Sequence, residues 1–584
     1  MVITGGFKYL KSRDLCHEIY FHDLVEYHKK TSSEKPILLV DCSRIQFVKF
    51  LNPDSRYGWE WHTVIRQFKK FVAYLSDIAI RPIFYFQEKE FKEANWKYWI
   101  DANNQSIRKV FDSLKNESSD IRMLRSCSSK QFVPPGQSYL RYVIKYECNS
   151  EVYNTTDNHY AELANIAKNH ENCLGILSMN VDYIIFDTKP LFSMKKLSFY
   201  RMATEMYLHH DFAKVINLDL QQMKLLCCLV GNDTIPLNDL KHFHEKIGYV
   251  HERERDSLLL NTVAKVIKEK EWSGDHLQFG EIAKSAGIDE KELRRSMSFY
   301  EIGSNSEKYV DDQSQLWTNI DIIREKWNAC EIPPGFYTLL RDRIFVDKAN
   351  FEDYDDDSLP SCALVYREMR QKMYRILFSK DVTVKEWCYY KGANLDEPDE
   401  VEVHKDVFDD DIPSLEDLIS EDEEMKRIRW DLLQFCLGTN MPCEKLQNMS
   451  PSLLSLCFIL HYLLKQGTKL HHWEMKAFVA QALVDFNHKN EFLIRYTPRI
   501  IHLSELLQKG MYNLMYVITA CGYPYPLVNA LPWRSFNKKI FAWLYNRFLN
   551  ERTEEIFNYN KELLKTFNEM LEIVHLNIED YEES

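Results

Sequence analysis

The sequence predicts an α/β N-terminal domain with a mainly parallel sheet flanked by helices, followed by a mostly α-helical C-terminal half. Three features carry this prediction. Apolar runs at Ile37–Asp41, Arg81–Phe86 and Leu174–Asp182 have the length of strands buried on both faces. Helical periodicity separates them, as at Trp61–Ile80, and this alternation with short links is typical of parallel sheets. After Asp233 the apolar spacing is helical nearly to the end.

The composition favours a large, packed protein of the cell interior. The chain has 584 residues, which is too long for a single hydrophobic core. Hydrophobic residues make up 45% of it and aromatic residues 13%, and this composition excludes general disorder. The net charge of −13 means that the chain as a whole does not attract the phosphate backbone of DNA, so we expect no stable DNA complex. The 14 cysteines include no C-x-x-C pair for zinc, and no apolar run is long enough to predict a membrane span.

Changes in pattern along the chain set the predicted domain boundaries. Residues 1–250 form the α/β domain, residues 251–305 a helical extension of it, and residues 333–584 a mostly helical domain. Within the last domain, we expect residues 396–424 to form an acidic, solvated loop, because they offer little apolar area to bury.

Three carboxylates follow predicted elements of the sheet. Asp41 and Asp182 end apolar runs, and Asp233 follows the helical stretch Leu218–Val230. Ligand sites in parallel sheets lie beyond the carboxyl ends of the strands, and carboxylate oxygens suit Mg²⁺ or Mn²⁺. Aspartate is also common at strand ends and helix caps because it bonds the local backbone, so a structural role stays open.

The residues around these carboxylates resemble the flap-endonuclease and XPG-type nucleases, which have a PIN-like domain. Leu218–Asp233 is similar to that family's helix with a cysteine, followed by Leu-x-Gly-Ser/Asn-Asp. Val40-Asp41 resembles its first strand, Val181–Phe186 its metal-binding strand, and Met1–Leu10 its start. The match covers about the first 245 residues. The resemblance implies about seven acidic residues that hold two metal ions, which activate water and stabilise the leaving oxygen.

The chain departs from this acidic set. Gln87 stands where the second strand should end in aspartate, and Asn180 stands where a second aspartate should precede Asp182. The family's Glu-x-Glu helix falls near His159 and Ala161. The nearest carboxylates there, without the paired spacing, are Asp157 and Glu162.

This departure predicts a pseudo-nuclease in which no catalytic residue functions. Roughly three to five carboxylates do not balance two Mg²⁺ ions, so a two-metal clamp is not expected. At most, Asp41, Asp182 and Asp233 would hold one weakly bound Mg²⁺ or Mn²⁺, and no cofactor is required.

A narrower resemblance covers nearly the whole chain. The sequence is similar to the constitutive coactivator of PPAR-gamma family and its like-proteins, whose N-terminal module is an altered XPG-type domain. The matching segments are Leu229–Pro236, Asp239-Leu240, Val365–Gln371, Leu377-Phe378, Glu386–Cys388, Ala520–Pro524, Leu531–Trp533, Phe536 and Lys539. The resemblance implies RNA-associated scaffolding, signalling and transcriptional co-regulation in cytoplasm and nucleus, with protein partners and RNA as a candidate. The Arg/Gly-rich segment linked with RNA binding in larger members has no counterpart in this sequence.

Two short basic stretches are candidates for nucleic-acid contact. In Phe91–Trp99, lysines and aromatic residues alternate, so Lys92, Trp96 and Lys97 could combine stacking with charge. Lys195 and Lys196 form a weaker basic spot. Packing of aromatic residues between helices, with solvated lysines, explains the first stretch at least as well.

Two functions remain open on the sequence alone. The first is a catalytically degenerate scaffold in RNA-associated or transcriptional regulation, and the alternative is an active, metal-dependent, structure-specific endonuclease. Coactivator function would call for an exposed Leu-x-x-Leu-Leu helix. Leu460–Leu464 and Leu503–Leu507 fit this pattern, but the same spacing is that of a buried helix stripe.

Overall fold

The computed structural model contains two compact units, each built from several chain segments. It describes residues 6–43, 60–88, 91, 93, 96–115, 137–155, 158–232, 234–249, 256–302, 320–347, 350–405, 412–420, 422–440, 449–484, 496–549 and 552–578. The first unit comprises residues 1–47, 68–89 and 147–318, and the second comprises 48–67, 90–146 and 319–584. This division assigns residues 48–67 and 90–146, which the predicted domain 1–250 would include, to the second unit.

A seven-stranded sheet lies at the centre of the first unit. Its spatial order is β1-β7-β6-β5-β2-β3-β4, with β1 and β7 pairing antiparallel and the five strands from β6 to β4 pairing parallel. The strands are β1 His17–Tyr20, β2 Ile37–Asp41, β3 Arg81–Gln87, β4 Glu151–Thr155, β5 Cys173–Ser178, β6 Leu191–Ser193 and β7 Ala203–Tyr207. Every residue of β2 is buried, which explains its unbroken apolar run. The predicted fold class is confirmed.

Helices cover this sheet and share its hydrophobic core. They are Gly6–Ser12, Phe21–His28, Trp61–Asp77 (from Phe68 onward), His159–Asn169, His209–Ile216, Leu220–Val230, Lys241–Lys246, Asp256–Glu269, Phe279–Ala286 and Glu290–Ser298, with 3₁₀ turns at Val181–Ile184 and His276–Gln278. The Leu220–Val230 helix begins at a capping box formed by Asp219 and Gln222. All its residues from Met223 onward are buried, so this helix belongs to the centre of the core.

Gly231 ends this helix in a conformation that other residues rarely adopt. Its φ is +105°, and a Cβ atom there would lie 3.1 Å from the Leu237 Cα atom. We expect Gly231→Ala to cost about 3 kcal/mol of stability, because strain and a backbone clash add. Gly287→Ala is the control, since Gly287 also has positive φ but open space, and should cost about 1 kcal/mol. Equal shifts of the two thermal unfolding midpoints would show that the contact with Leu237 is unimportant.

The second unit is mostly helical and includes a small mixed sheet. Its three strands lie in the order β10-β9-β8, with β8 Ile344–Asp347, β9 Thr383–Cys388 and β10 Asp399–Glu402. Its helices are Trp96–Lys115, Gln137–Tyr142, the π-helix Val143–Glu147 (to Tyr146), Ile320–Asn328, Phe336–Asp342, Cys362–Val365, Arg367–Leu377, Leu415–Ile419, Met425–Leu437, Pro451–Lys465, His472–Ala480, Pro498–Ala520, Leu527–Ala530, Pro532–Arg534, Lys538–Arg547, Thr553–Ile556 and Lys561–Val574. Of these, Pro498–Ala520 is the longest described helix and is buried over most of its length.

The acidic segment 396–424 is not the open loop that its composition predicts. Residues Asp399–Glu402 form β10 and pair antiparallel with β9, which buries Val401 to 4% exposure. The Leu415–Ile419 helix begins at Ser414 and buries Leu418 completely. The prediction was wrong because a few apolar residues among many carboxylates suffice to anchor a strand and a helical turn. Residues 406–411 and 421 lie outside the described part.

Both Leu-x-x-Leu-Leu motifs lie in buried helices of the second unit. The leucines of Leu460–Leu464 are at most 8% exposed, and those of Leu503–Leu507 at most 1%. An apolar face that already packs in a core cannot also lie in the groove of a partner. Both motifs are therefore apolar stripes of buried helices.

A buried ion pair joins the Arg367–Leu377 helix to β9. Arg370 donates to both carboxylate oxygens of Glu386, at 2.7 Å from Nε and 2.8 Å from Nη2. Tyr374 donates a third hydrogen bond, 2.8 Å from its hydroxyl to Glu386 Oε1, and Arg367 a fourth at 3.2 Å. Burial alone would raise the pKa of Glu386, but Arg370, Arg367 and Tyr374 together outweigh burial and lower the pKa. The carboxylate is therefore ionised inside the protein.

Candidate functional site

Asp41, the last residue of β2, has a carboxylate that is hydrogen-bonded on both oxygens. His159 Nε2 lies 2.8 Å from Oδ1, and the backbone N–H of Ser43 donates to the same oxygen at 2.8 Å. The hydroxyl of Ser178, at the end of the adjacent β5, donates to Oδ2 at 2.6 Å. Asp41 is 1% exposed. The protein itself thus satisfies the group that the sequence predicts as a metal ligand.

His159, the first residue of the His159–Asn169 helix, is held in place on both sides of its ring. Its Nδ1 lies 2.5 Å from the hydroxyl oxygen of Thr155, and that hydroxyl donates to the Phe86 carbonyl oxygen at 3.2 Å. Both ring nitrogens of His159 are therefore hydrogen-bonded, Nε2 to Asp41 and Nδ1 to Thr155.

The ion pair sets the protonation state of Asp41. Burial would raise the pKa of this carboxyl group, but the charge of His159 and hydrogen bonds from His159, Ser178 and Ser43 outweigh burial. Together they lower the pKa to about 2. Asp41 is thus ionised at neutral pH, and side chains of the protein stabilise its charge.

Asp182 lies in a 3₁₀ turn after β5, not on the strand that the apolar run predicts. The strand ends at Ser178, and the turn Val181–Ile184 begins with Asn180 as its N-cap. The side-chain oxygen of Asn180 accepts from the Asp182 N–H at 3.0 Å, and the Asn180 N–H donates to Ser178 Oγ at 2.8 Å. Asn180 therefore holds the turn together in the position where the nuclease resemblance implies an acid.

The buried phenol of Tyr183 lies near the carboxylates of both Asp41 and Asp182. Burial raises the pKa of Tyr183 well above its ordinary value, and the charges of Asp41 and Asp182 contribute to the same shift. The hydroxyl lies near Asp41 without making a hydrogen bond of standard geometry. Two of the three predicted metal ligands thus lie near the same buried phenol, and Asp182 is only 3% exposed. Asp233 and Asp157 lie outside the described residues, so their assignments stay predictions.

The asparagine of the Gly-Asn-Asp motif has a structural task. Its side-chain nitrogen donates to Ser296 Oγ at 2.8 Å and to the Tyr300 hydroxyl at 3.3 Å. Its side-chain oxygen accepts the backbone N–H groups of Thr234 and Ile235, both at 2.9 Å. Asn232 therefore connects the end of the Leu220–Val230 helix to the Glu290–Ser298 helix and the residues after it.

Known proteins match this chain over different lengths. A model of the FAM120A-like domain matches residues 216–303, the region that contains the Asn232 contacts. The constitutive coactivator of peroxisome proliferator-activated receptor gamma from Bos taurus is 24% identical, covering 94% of this chain and 91% of the relative. The Homo sapiens protein of that name is 31% identical over 240 residues, 38% of this chain and 26% of the relative.

The resemblance to the constitutive coactivator of PPAR-gamma family is confirmed.

Solved nuclease structures show only a distant likeness. Human GEN1 in complex with Holliday junction DNA is 13% identical with a TM-score of 0.32, covering 59% of this chain and 80% of that one. The catalytic core of Rad2 is 14% identical with a TM-score of 0.24, covering 52% and 79%. The α/β assignment of the first unit rests on its own strand order.

The aromatic and basic stretch 91–99 divides between core and surface. Trp96 is 3% exposed and packs against Phe91 and Trp387, with ring centroids 5.9 and 5.7 Å apart, so it is not available to stack on a base. Lys97 is exposed and forms an ion pair with Asp396 at 2.9 Å. The prediction for Trp96 was wrong because its helix needs that ring in the core. Lys92 lies outside the described residues.

Sequence reasoning missed the side chains that this stretch does expose. Tyr98 is 81% exposed and Trp99 36% exposed, on the same helix as Trp96. In the first unit, Lys195 is exposed, and Lys196 lies 3.9 Å from Glu205. Helical periodicity from Trp96 would have identified the neighbouring positions as the exposed ones.

Proposed function

We propose that this protein is a catalytically degenerate, nuclease-like scaffold that acts through protein partners in transcriptional co-regulation or RNA-associated post-transcriptional regulation. The observation that carries the proposal is the buried ion pair between Asp41 and His159. The similarity to constitutive coactivators of peroxisome proliferator-activated receptor gamma supports the regulatory role and a nuclear location. We extend the proposed location to the cytoplasm, where RNA-associated regulation also takes place.

A two-metal nuclease needs carboxylates that face both the ions and the substrate. Asp41 and Asp182 are 1% and 3% exposed, which leaves them little access to a phosphodiester. His159 occupies a position next to Asp41 Oδ1 that a divalent ion bound to this oxygen would need. An ion that bound Asp41 would have to displace His159 and Ser178 first, so the protein requires no cofactor and would hold Mg²⁺ or Mn²⁺ weakly at most.

The purified full chain should not cleave flap, single-stranded or duplex substrates in Mg²⁺ or Mn²⁺. The physical reason is that Gln87, Asn180 and His159 replace acids of the nuclease set that the resemblance implies. Calorimetric titration of Mn²⁺ should give only weak binding. Turnover that is present in the wild type and absent in Asp182→Asn would overturn the proposal and favour the endonuclease alternative.

Crosslinking in cells identifies the partners and separates protein scaffolding from RNA association. Mass spectrometry of crosslinked proteins should recover transcriptional or RNA-regulatory factors, and sequencing of crosslinked RNA tests the second candidate. Tyr98 and Trp99 are exposed aromatic residues that could stack on bases. RNA crosslinks that persist in a Tyr98→Ser, Trp99→Ser variant would exclude that surface.

Among the described residues, no helix has the length and apolar character to cross a membrane.

A further inference from the structure

Three buried side chains from distant parts of the sequence converge in the second unit. They are Glu352, in the loop after β8, Cys362, at the start of a short helix, and His502, near the start of the Pro498–Ala520 helix. One ligand atom from each lies within 4.8 Å of the others. All three are at most 2% exposed, and the cluster is separate from the Asp41 site.

Glu352 holds the loop and the short helix together around this cluster. Its Oε1 accepts from the Ser361 hydroxyl at 3.0 Å, and its Oε2 accepts from the Cys362 backbone N–H at 2.6 Å. The same Oε2 lies 3.9 Å from His502 Nε2. These hydrogen bonds hold the Glu352 carboxylate in place, and proteins pre-organise metal ligands in this way.

His502 has a buried lone pair without a hydrogen-bond partner. Burial lowers the pKa of this imidazole to about 4, so the ring is neutral at pH 7. Its Nε2–H donates to the Pro360 carbonyl oxygen at 3.2 Å, which places the lone pair on Nδ1, and Nδ1 has no partner. Asn350, two residues before Glu352, also has both side-chain amide atoms buried without partners. Unsatisfied buried atoms are rare in proteins and call for an explanation.

We propose that Glu352, Cys362 and His502 bind one Zn²⁺ ion. The donor set of one oxygen, one sulfur and one nitrogen is typical of zinc, whereas Mg²⁺ and Ca²⁺ take oxygen ligands. Tetrahedral zinc places its ligand atoms about 3.3–3.8 Å apart, so small side-chain rotations suffice. Three protein ligands leave the fourth position for water.

Binding replaces the thiol proton of Cys362 by the metal. The S–H bond breaks, the Zn–S bond forms, and the proton leaves to solvent. The neutral ring of His502 can bind through either nitrogen once its hydrogen is on the other. Burial raises the pKa of the Cys362 thiol well above its ordinary value, so the cluster does not resemble a reactive cysteine site. Residue spacing does not reveal this site, because its ligands lie far apart along the chain and no C-x-x-C pair marks it.

The test measures metal content of the full chain. After chelator treatment and dialysis, the wild type loaded with Zn²⁺ should retain one equivalent by elemental analysis. Loaded with Co²⁺ instead, it should show a thiolate-to-cobalt absorption band. Cys362→Ser should abolish the band, and Cys362→Ser, His502→Gln and Glu352→Gln should each weaken Zn²⁺ binding at least about 100-fold in competition with a chromophoric chelator.

Matched controls come from the same unit. Cys457 and His461 are also buried, and Cys457→Ser and His461→Gln should leave the stoichiometry and the cobalt band unchanged. Wild-type protein that retains no zinc would overturn the proposal, as would full retention in both Cys362→Ser and His502→Gln. If a variant fails to fold, a Co²⁺ titration of the wild type without a thiolate band is decisive against it.

Discussion

Glu386→Gln will destabilise the second unit by about 3–5 kcal/mol, because it leaves Arg370 buried without a counter-charge. Arg370 is 1% exposed and Glu386 is 1% exposed, so water cannot replace the lost charge. Urea unfolding, monitored by tryptophan fluorescence, measures the change in the free energy of unfolding of the second unit. The double replacement Arg370→Met, Glu386→Leu should recover part of the loss, because removing both charges also removes their desolvation.

The matched control is an ion pair on the surface of the same unit. Lys391 and Asp357 lie 2.9 Å apart with both side chains exposed, so Asp357→Asn should cost less than about 1 kcal/mol. Similar costs for Asp357→Asn and Glu386→Gln would mean that burial adds nothing to the importance of the Arg370 pair.

His159→Leu will destabilise the first unit by about 3 kcal/mol, because the buried carboxylate of Asp41 then loses its hydrogen-bonding partner His159. Asp41→Asn in the same chain should restore part of this loss, and a double-mutant cycle gives the coupling between the two side chains. Additive losses would show that the two residues do not form an ion pair, and the argument for a self-neutralised site would fail.

The same ion pair predicts how stability depends on pH. The pKa of Asp41 is lowered from 3.8 to about 2, so its contribution is complete above pH 4 and is lost as the pH falls toward 2. The shift corresponds to about 2 kcal/mol. Urea unfolding between pH 2 and 6 should therefore show a shallower acid loss in Asp41→Asn than in the wild type. Identical slopes would contradict the lowered pKa.

The parts of the fold that could be predicted are those buried on every side. The apolar runs Ile37–Val40 of β2 and Leu225–Val230 of the following helix identify these elements without tertiary information. β10 was missed because its apolar residue, Val401, stands among carboxylates, and only its pairing with β9 makes it a strand. Local composition cannot show such a pairing.

The candidate site was predictable in its position but not in its chemistry. The sequence places Asp41 at the sheet edge, and it marks Asn180 and His159 as departures from an acidic set. The role of Asn180 as a helix cap and the hydrogen bond from His159 to Asp41 depend on three-dimensional contacts. Residue spacing does not reveal such contacts. The convergence of Glu352 and His502 is beyond sequence reasoning for the same reason.

The pairing of β2 has a consequence for synthesis on the ribosome. One edge of β2 pairs with β3, which follows soon after, but the other pairs with β5, where Ile37 is opposite Cys173. That apolar edge stays open until the chain has been translated past Ser178, because parallel partners must wait for the intervening chain. An unpaired apolar edge is prone to aggregation, so we expect chaperones to assist the nascent chain during this interval.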